Sequence, residues 1–294
     1  MTNNLTIVAL YIYPIKSCQG IEVKSAQVTE KGLCLINNNL GGDRRHDKIG
    51  DRIFMLVDEK GNFLTQRQYP QLAKIKVNIE KNKLILSSEY DDISPFELTI
   101  KEENIERKVI VWQDKTIAID QGQEVAKWFK SALKLDINCY LVRQSERHIR
   151  PINNQYSLKK NQPVSFADGF PFLLTNTASL KDLNHRLKIK YPDDNLQVSM
   201  NRFRPNIVIK TDTPFMEDTW KEIDINGIKF QLVKPCSRCI ITTTDQKTGE
   251  RNQKKEPLLT LGSFRQTHGG IIFGQNMIAL SDGIITKDEL IAPC

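Results

Sequence analysis

The segment KPCSRCIITTTD, residues 234–245, sets Cys236 and Cys239 three positions apart with Ser237 and Arg238 between them. A structural zinc site takes four Cys or His ligands, usually as two close pairs. Here there is one CxxC and only four histidines in the chain, and His268 alone offers itself as a further ligand. A redox CxxC opens a helix whose dipole lowers the thiol pKa. The run after Cys239, Ile-Ile-Thr-Thr-Thr, is β-branched and a poor helix start. A third chemistry needs a single thiolate, presented on a tight loop and favoured by the charges of Lys234 and Arg238. A soft thiolate suits a soft or high-valent transition metal, provided a cofactor brings the remaining ligands.

The elements that must hold such a loop are mainly strands. Leu5–Tyr13, Gly20–Val28, Ile53–Val57, Ala73–Ile79, Lys83–Leu86 and Phe96–Ile100 are β-branched or aromatic runs separated by turn residues. Short strands at this spacing predict a barrel or sandwich. Apolar residues at helical spacing predict helices over Gln123–Leu133 and Ala178–Leu187, the second with Thr177 as a possible cap. Strands return at Asn206–Lys210, at Ile228–Val233, which should stop at Pro235, and at Ile240–Thr244. The expected fold is mostly β with helices (α+β). The change of pattern divides it into domains 1–122 and 123–294.

Composition fits a soluble globular protein: 294 residues, 39% hydrophobic and 26% charged. No apolar run approaches the roughly 18 residues of a membrane span, and the apolar start lacks a basic leader region. A reduced, cytoplasmic setting then suits the six cysteines. The net charge of +7, from 42 basic and 35 acidic residues, favours an anionic ligand. The basic residues are scattered and match no nucleic-acid-binding pattern, so no nucleic-acid partner is expected.

PCSRCIITTTDQKTGERNQKKEPLLTLGSFRQ at 235–266 and FGQN at 273–276 resemble the signature of the MOSC-domain molybdenum enzymes. YPIKSCQG at 13–20 and DRIFMLVDEKGNFLTQRQYPQLAKI at 51–75 are similar to the N-terminal β-barrel domain that precedes MOSC in this family. VWQD at 111–114, FADGFPFLLTNTASLKDLN at 166–184 and FRPNIVI at 203–209 follow in family order.

The family includes amidoxime-reducing components and bacterial counterparts. The resemblance therefore implies a β-barrel domain joined to a β-barrel-like MOSC domain, and a molybdenum cofactor (Mo-molybdopterin). It implies reduction of small N-hydroxylated compounds by oxygen transfer to molybdenum. It makes Cys239 the metal ligand and catalytic residue, with Cys236 a bystander or packing residue. It puts Lys16, Ser17, Arg52, Arg204, Ser237 and Arg238 at the cofactor, where arginine suits the bidentate recognition of its phosphate. Asp168 and Asn206 match family positions as well, although either could serve as a turn or backbone-bonding residue.

Gly-Asp-Arg occurs twice, at 42–44 and 50–52. Arg52 keeps the family spacing to Met55-Leu56-Val57-Asp58, whereas Arg44 falls in a polar stretch that looks like an insertion. Some relatives continue into an iron–sulfur domain. Here electrons are expected from a separate donor protein of ferredoxin, cytochrome or flavin reductase type. Pyridoxal phosphate binding is a further family-level expectation. The competing reading is a sulfur-carrier or cofactor-delivery protein that uses Cys239 as a persulfide acceptor.

Overall fold

The computed structural model describes residues 5–36, 49–80, 83–89 and 92–294. Nineteen strands, three α-helices and five short 3-10 turns are assigned among the described residues, so the fold is mostly β with helices, as expected. None of these helices is long and apolar enough to cross a membrane. Arg44 and most of the polar stretch 37–50 lie outside the described residues.

The largest sheet joins the two ends of the chain. Its first strand, Thr6–Ile12, alternates buried and half-buried positions and pairs antiparallel with Ile207–Lys210. That strand runs parallel to Phe172–Asn176, which pairs in turn with Gly270–Ala279 and so reaches Ile228–Ser237. Ser25–Thr29 pairs with Gly283–Thr286. Ile7, Leu10, Ile12, Val28 and Leu33 consequently share one core with Phe172, Ile207, Phe230 and Met277.

A smaller sheet, ordered Phe54–Val57, Tyr140–Gln144, Asp114–Asp120, Glu106–Val111, lies on the N-terminal side. The helix Gln123–Ala132 buries Val125, Phe129 and Ala132 against Leu56, Leu72, Leu86 and Leu141. The division expected at residue 122 thus runs between segments that share one hydrophobic cluster. The first strand, too, packs with the C-terminal sheet.

Three local expectations are corrected. Ile240–Thr243 forms a 3-10 turn, not a strand, because Thr242 and Thr244 backbone N–H groups donate to Cys239 and Ile241 carbonyls. The strand from Ile228 does not stop at Pro235; it continues to Ser237 through two register shifts, the second between Pro235 and Ser237. A bulged stretch can carry a proline because the ladder there is already interrupted. The second helix spans Thr177–Lys190, and its cap is Asn176, whose side chain accepts from the Ala178 N–H at 2.9 Å.

Candidate functional site

A cavity of about 470 Å³ opens where these sheets meet. Lys16, Ser17, Arg52, Asp168, Arg204, Asn206, Ser237, Arg238 and Cys239 all line it, as does Cys236. Residues more than 220 positions apart in sequence are thereby brought to one wall.

Lys16 and Arg52 meet because the turn after the first strand runs beside the start of Phe54–Val57. The Arg52 N–H donates to the Tyr13 carbonyl at 2.6 Å, and the Lys16 N–H to the Phe54 carbonyl at 2.8 Å. Arg52 itself is clamped: it donates to Asp51 at 2.5 Å, to Asn206 Oδ1 at 3.4 Å and to the Arg204 carbonyl at 3.1 Å. Asp51 is fully buried and also accepts the Tyr13 N–H at 2.9 Å. Asn206 realises the backbone-bonding alternative, accepting from the Leu173 N–H and donating to the Tyr11 carbonyl. It lines the cavity at the same time.

Two guanidiniums pack on the Tyr13 ring, Arg52 at 4.6 Å and Arg204 at 4.3 Å from its centroid. Stacking on an aromatic face lets guanidinium charge be buried with partial compensation. Burial, and next the neighbouring Arg52, push Arg204 down to about 10. Arg204 makes no ion pair among the described residues, and its buried Nη2 has no hydrogen-bond partner. Such an orphan donor is costly unless something else occupies the space.

Lys16 is buried, donating to the Phe166 carbonyl at 2.7 Å and pairing with Asp168. Burial lowers its pKa to about 8, and Asp168 opposes that fall. Asp168 is 59% exposed, the one carboxylate on the cavity wall. Although burial of its surroundings works against ionisation, Lys16, then Arg67 and Arg52, hold it well below the usual carboxylate range. Arg150 fixes the segment around Asp168 by donating to the carbonyls of Ser165, Ala167 and Asp168.

The cysteines differ in their surroundings. Both are half-buried and free. Arg238 Nη1 donates to the Cys236 sulfur at 2.9 Å, and Nη2 donates to the Phe203 carbonyl. Cys236 is therefore no bystander: it helps orient Arg238. The Cys239 thiol makes no hydrogen bond among the described residues. Its backbone is pinned, the carbonyl accepting from both the N–H (3.0 Å) and the hydroxyl (2.9 Å) of Thr242. Arg202 steadies the same turn through the Thr243 carbonyl and Asp245.

Four non-glycine residues on the wall, Ser17, Arg52, Trp112 and Arg204, hold φ between 51° and 71°. Left-handed backbone in such residues is uncommon and persists where the surroundings over-determine it. The wall also includes basic residues that the motifs did not single out, Arg67 and Arg202. Arg67 stacks on Trp112 at 4.6 Å, and Trp112 Nε1 donates to Asp168 at 3.3 Å. Both belong to stretches that carried the family resemblance, LTQRQYP and VWQD, which was the available signal. Lys234 sits over the rings of Tyr156 and Phe170, 5.3 and 5.5 Å from their centroids.

Seven Lys and Arg side chains line the cavity with one carboxylate, and although Asp51 and Asp245 pair with Arg52 and Arg202 behind the wall, the balance still attracts anions. No group of three or more His, Cys, Asp or Glu among the described residues is placed to hold a metal ion. A metal on Cys239 would need most of its ligands from a bound group. The donor set, one uncommitted thiol, many cations and an orphan guanidinium N–H, fits an anionic sulfur-bearing metal cofactor.

Two family models match the chain, the MOSC N-terminal beta barrel domain over residues 4–136 and the MOSC domain over 161–292. Mitochondrial amidoxime-reducing component 1 of Mus musculus is 35% identical over 263 residues, covering 88% of this chain and 71% of that protein. The Homo sapiens component 1 is 34% identical, covering 89% and 72%. Molybdenum cofactor sulfurase of Oryza sativa subsp. japonica is 30% identical, covering 92% of this chain but 32% of that longer protein.

Proposed function

The chain belongs to the MOSC-domain family, and from that premise we propose that its central cavity binds a molybdenum cofactor. We infer that it reduces small N-hydroxylated compounds with electrons from a separate donor protein. The observation that carries this reading is the coincidence, on one cavity wall, of the uncommitted Cys239 thiol with seven basic side chains.

In this reading Cys239 is the protein's metal ligand, held by the Thr242 contacts to its carbonyl. Lys16, Arg52, Arg204 and Arg238 neutralise the cofactor's anionic groups, with Ser17 and Ser237 as hydroxyl partners on the same wall. Asn206 and Asp51 hold Arg52 in place, and Asp168 with Phe166 holds Lys16. When bound, the cofactor supplies the two-electron reduction of the N–O group. The protein's part is ligation, orientation and electrostatics. Lys16 also carries a proton near the cavity at neutral pH, and its lowered pKa eases release of that proton.

The experiment is turnover of a benzamidoxime-type substrate by protein purified from a molybdate-supplied host. Reduced viologen should support it; NADH alone should not. Absence of turnover in chains that contain molybdenum and pterin would reject the reductase reading. A sulfur-carrier role would then remain, recognisable by a persulfide on Cys239.

A further inference from the structure

Lys234 has no part in the cofactor contacts proposed above, yet it lines the same cavity. Of the seven basic side chains there, it alone has a charged group with neither hydrogen bond nor ion pair among the described residues. Arg67, by contrast, pairs with Asp168 at 3.8 Å, and Arg202 with Asp245 at 2.9 Å. The local backbone explains where Lys234 sits. Leu232 is opposite Met277 and Lys234 is opposite Asn276, so Val233 is an extra residue in the ladder. A bulge of this kind re-aims the side chain that follows it. Lys234 and Pro235 are consecutively exposed as a result, where a regular strand would turn one of them inward.

The rings of Tyr156 and Phe170 beneath this amine meet edge to face at 5.4 Å, and they hold the cation without neutralising it. Phe170 lines the cavity, as do Gly169, Asp168 and Trp112. A Cβ placed on Gly169 would meet no atom within 4 Å, so the wall recedes there. Phe170 with Lys234 flanks this opening on one side, and Asp168 with its donor Trp112 on the other. Trp112 keeps 46% of its surface exposed, and Phe170 is half-buried. Both offer apolar area that a flat ring would cover. A carboxylate on that ring would meet the unpaired amine, while the opposite end faces the Cys239 side of the cavity. We propose that this opening is a specificity subsite in which Lys234 selects N-hydroxylated aromatic substrates that carry a carboxylate on the ring. The inference deepens the reductase reading and rests on it.

Cofactor-loaded protein, with reduced viologen as donor, tests the subsite on benzamidoxime, 4-carboxybenzamidoxime and the methyl ester of the latter. The ester keeps the shape of the acid and removes its charge. Native protein should show a kcat/KM for the acid about fivefold above that for the ester, the worth of one partly exposed ion pair. That ratio should fall as salt rises. Lys234→Met should abolish it, and Lys234→Arg should retain it. Gly169→Leu fills the opening, so it should slow both substituted compounds relative to benzamidoxime. The proposal is overturned by equal kcat/KM for acid and ester in native protein, by a preference that survives in Lys234→Met, or by equal losses on all three compounds in Gly169→Leu. If protein containing molybdenum and pterin turns over none of the three, the reductase reading fails. Calorimetric affinities for acid and ester then judge the subsite by the same ratios.

Discussion

Arg238 and Cys236 are bonded through guanidinium Nη1 and sulfur at 2.9 Å, which separates the two cysteines of the motif by their contacts. One thiol is spent orienting an arginine, and the other, Cys239, faces the cavity without a hydrogen bond among the described residues. A zinc pair or a redox disulfide would use the two sulfurs alike.

Cys236→Ser should accordingly be mild. Arg238 keeps its second anchor, the Phe203 carbonyl, and a serine hydroxyl can still accept from Nη1. Loss of part of one hydrogen bond keeps N-reduction within about tenfold of native. Steady-state kinetics at matched cofactor content checks this. A loss as complete as that of a Cys239 variant would mean that both sulfurs serve the metal.

Arg52→Ala should cost both cofactor and stability. Removing the guanidinium leaves Asp51 fully buried with its Oδ2 partner gone, a change of about 3–5 kcal/mol for a broken buried pair. It also frees Asn206 and the Arg204 carbonyl from their clamp. Urea melts and pterin retention should both fall, while Arg44→Ala stays near native in each. The opposite ranking would show that the other Gly-Asp-Arg is the functional one.

Raising pH should weaken anion binding through Lys16. Burial lowers this amine to about 8 from its ordinary 10.5, so it loses its charge well before an ordinary lysine would. Above pH 8 the cofactor-free chain should hold phosphate less well, with a midpoint near that value, and Lys16→Met should remove the step. The sign for stability is the reverse. Between pH 8 and 10.5 the unfolded chain binds more protons than the native one, so this group's contribution rises with pH. A phosphate affinity that declines identically in native protein and Lys16→Met would contradict the assignment.

Much of the site was legible because chemistry-bearing residues cluster in short stretches. Lys16 and Ser17 share one turn, and Arg204 and Asn206 flank Pro205 at the end of a 3-10 turn. All nine residues singled out from sequence line the cavity. What the sequence hid is set by packing. Ile240–Thr243 has strand propensity but is wound locally onto the Cys239 and Ile241 carbonyls, and the distant Arg202 holds the turn through the Thr243 carbonyl, a tertiary contact a β-branched run does not announce. The partnership of Thr6–Ile12 with Ile207–Lys210 is a pairing across some 200 residues that no local pattern announces. Arg67 and Trp112 were inside recognised stretches, but their stacking on one another depends on the fold.

Cofactor loading should raise the melting temperature, because a ligand held only by the native state stabilises it by mass action. The cavity gathers residues from 16 to 276, so the whole fold should feel the effect. Scanning calorimetry of loaded and empty chain reads it. Coincident midpoints at saturating cofactor would remove the cavity as the binding place.

The central claim is that Cys239 alone ties the metal to the protein, and molybdenum and pterin per folded chain test it most directly. Native protein and Cys236→Ser should each carry both in near-equal amounts. Cys239→Ala, at matched folding, should lose molybdenum and N-reduction yet keep measurable pterin through Lys16, Arg52, Arg204 and Arg238. Cys239→Ala protein with native molybdenum content and native turnover would contradict the account.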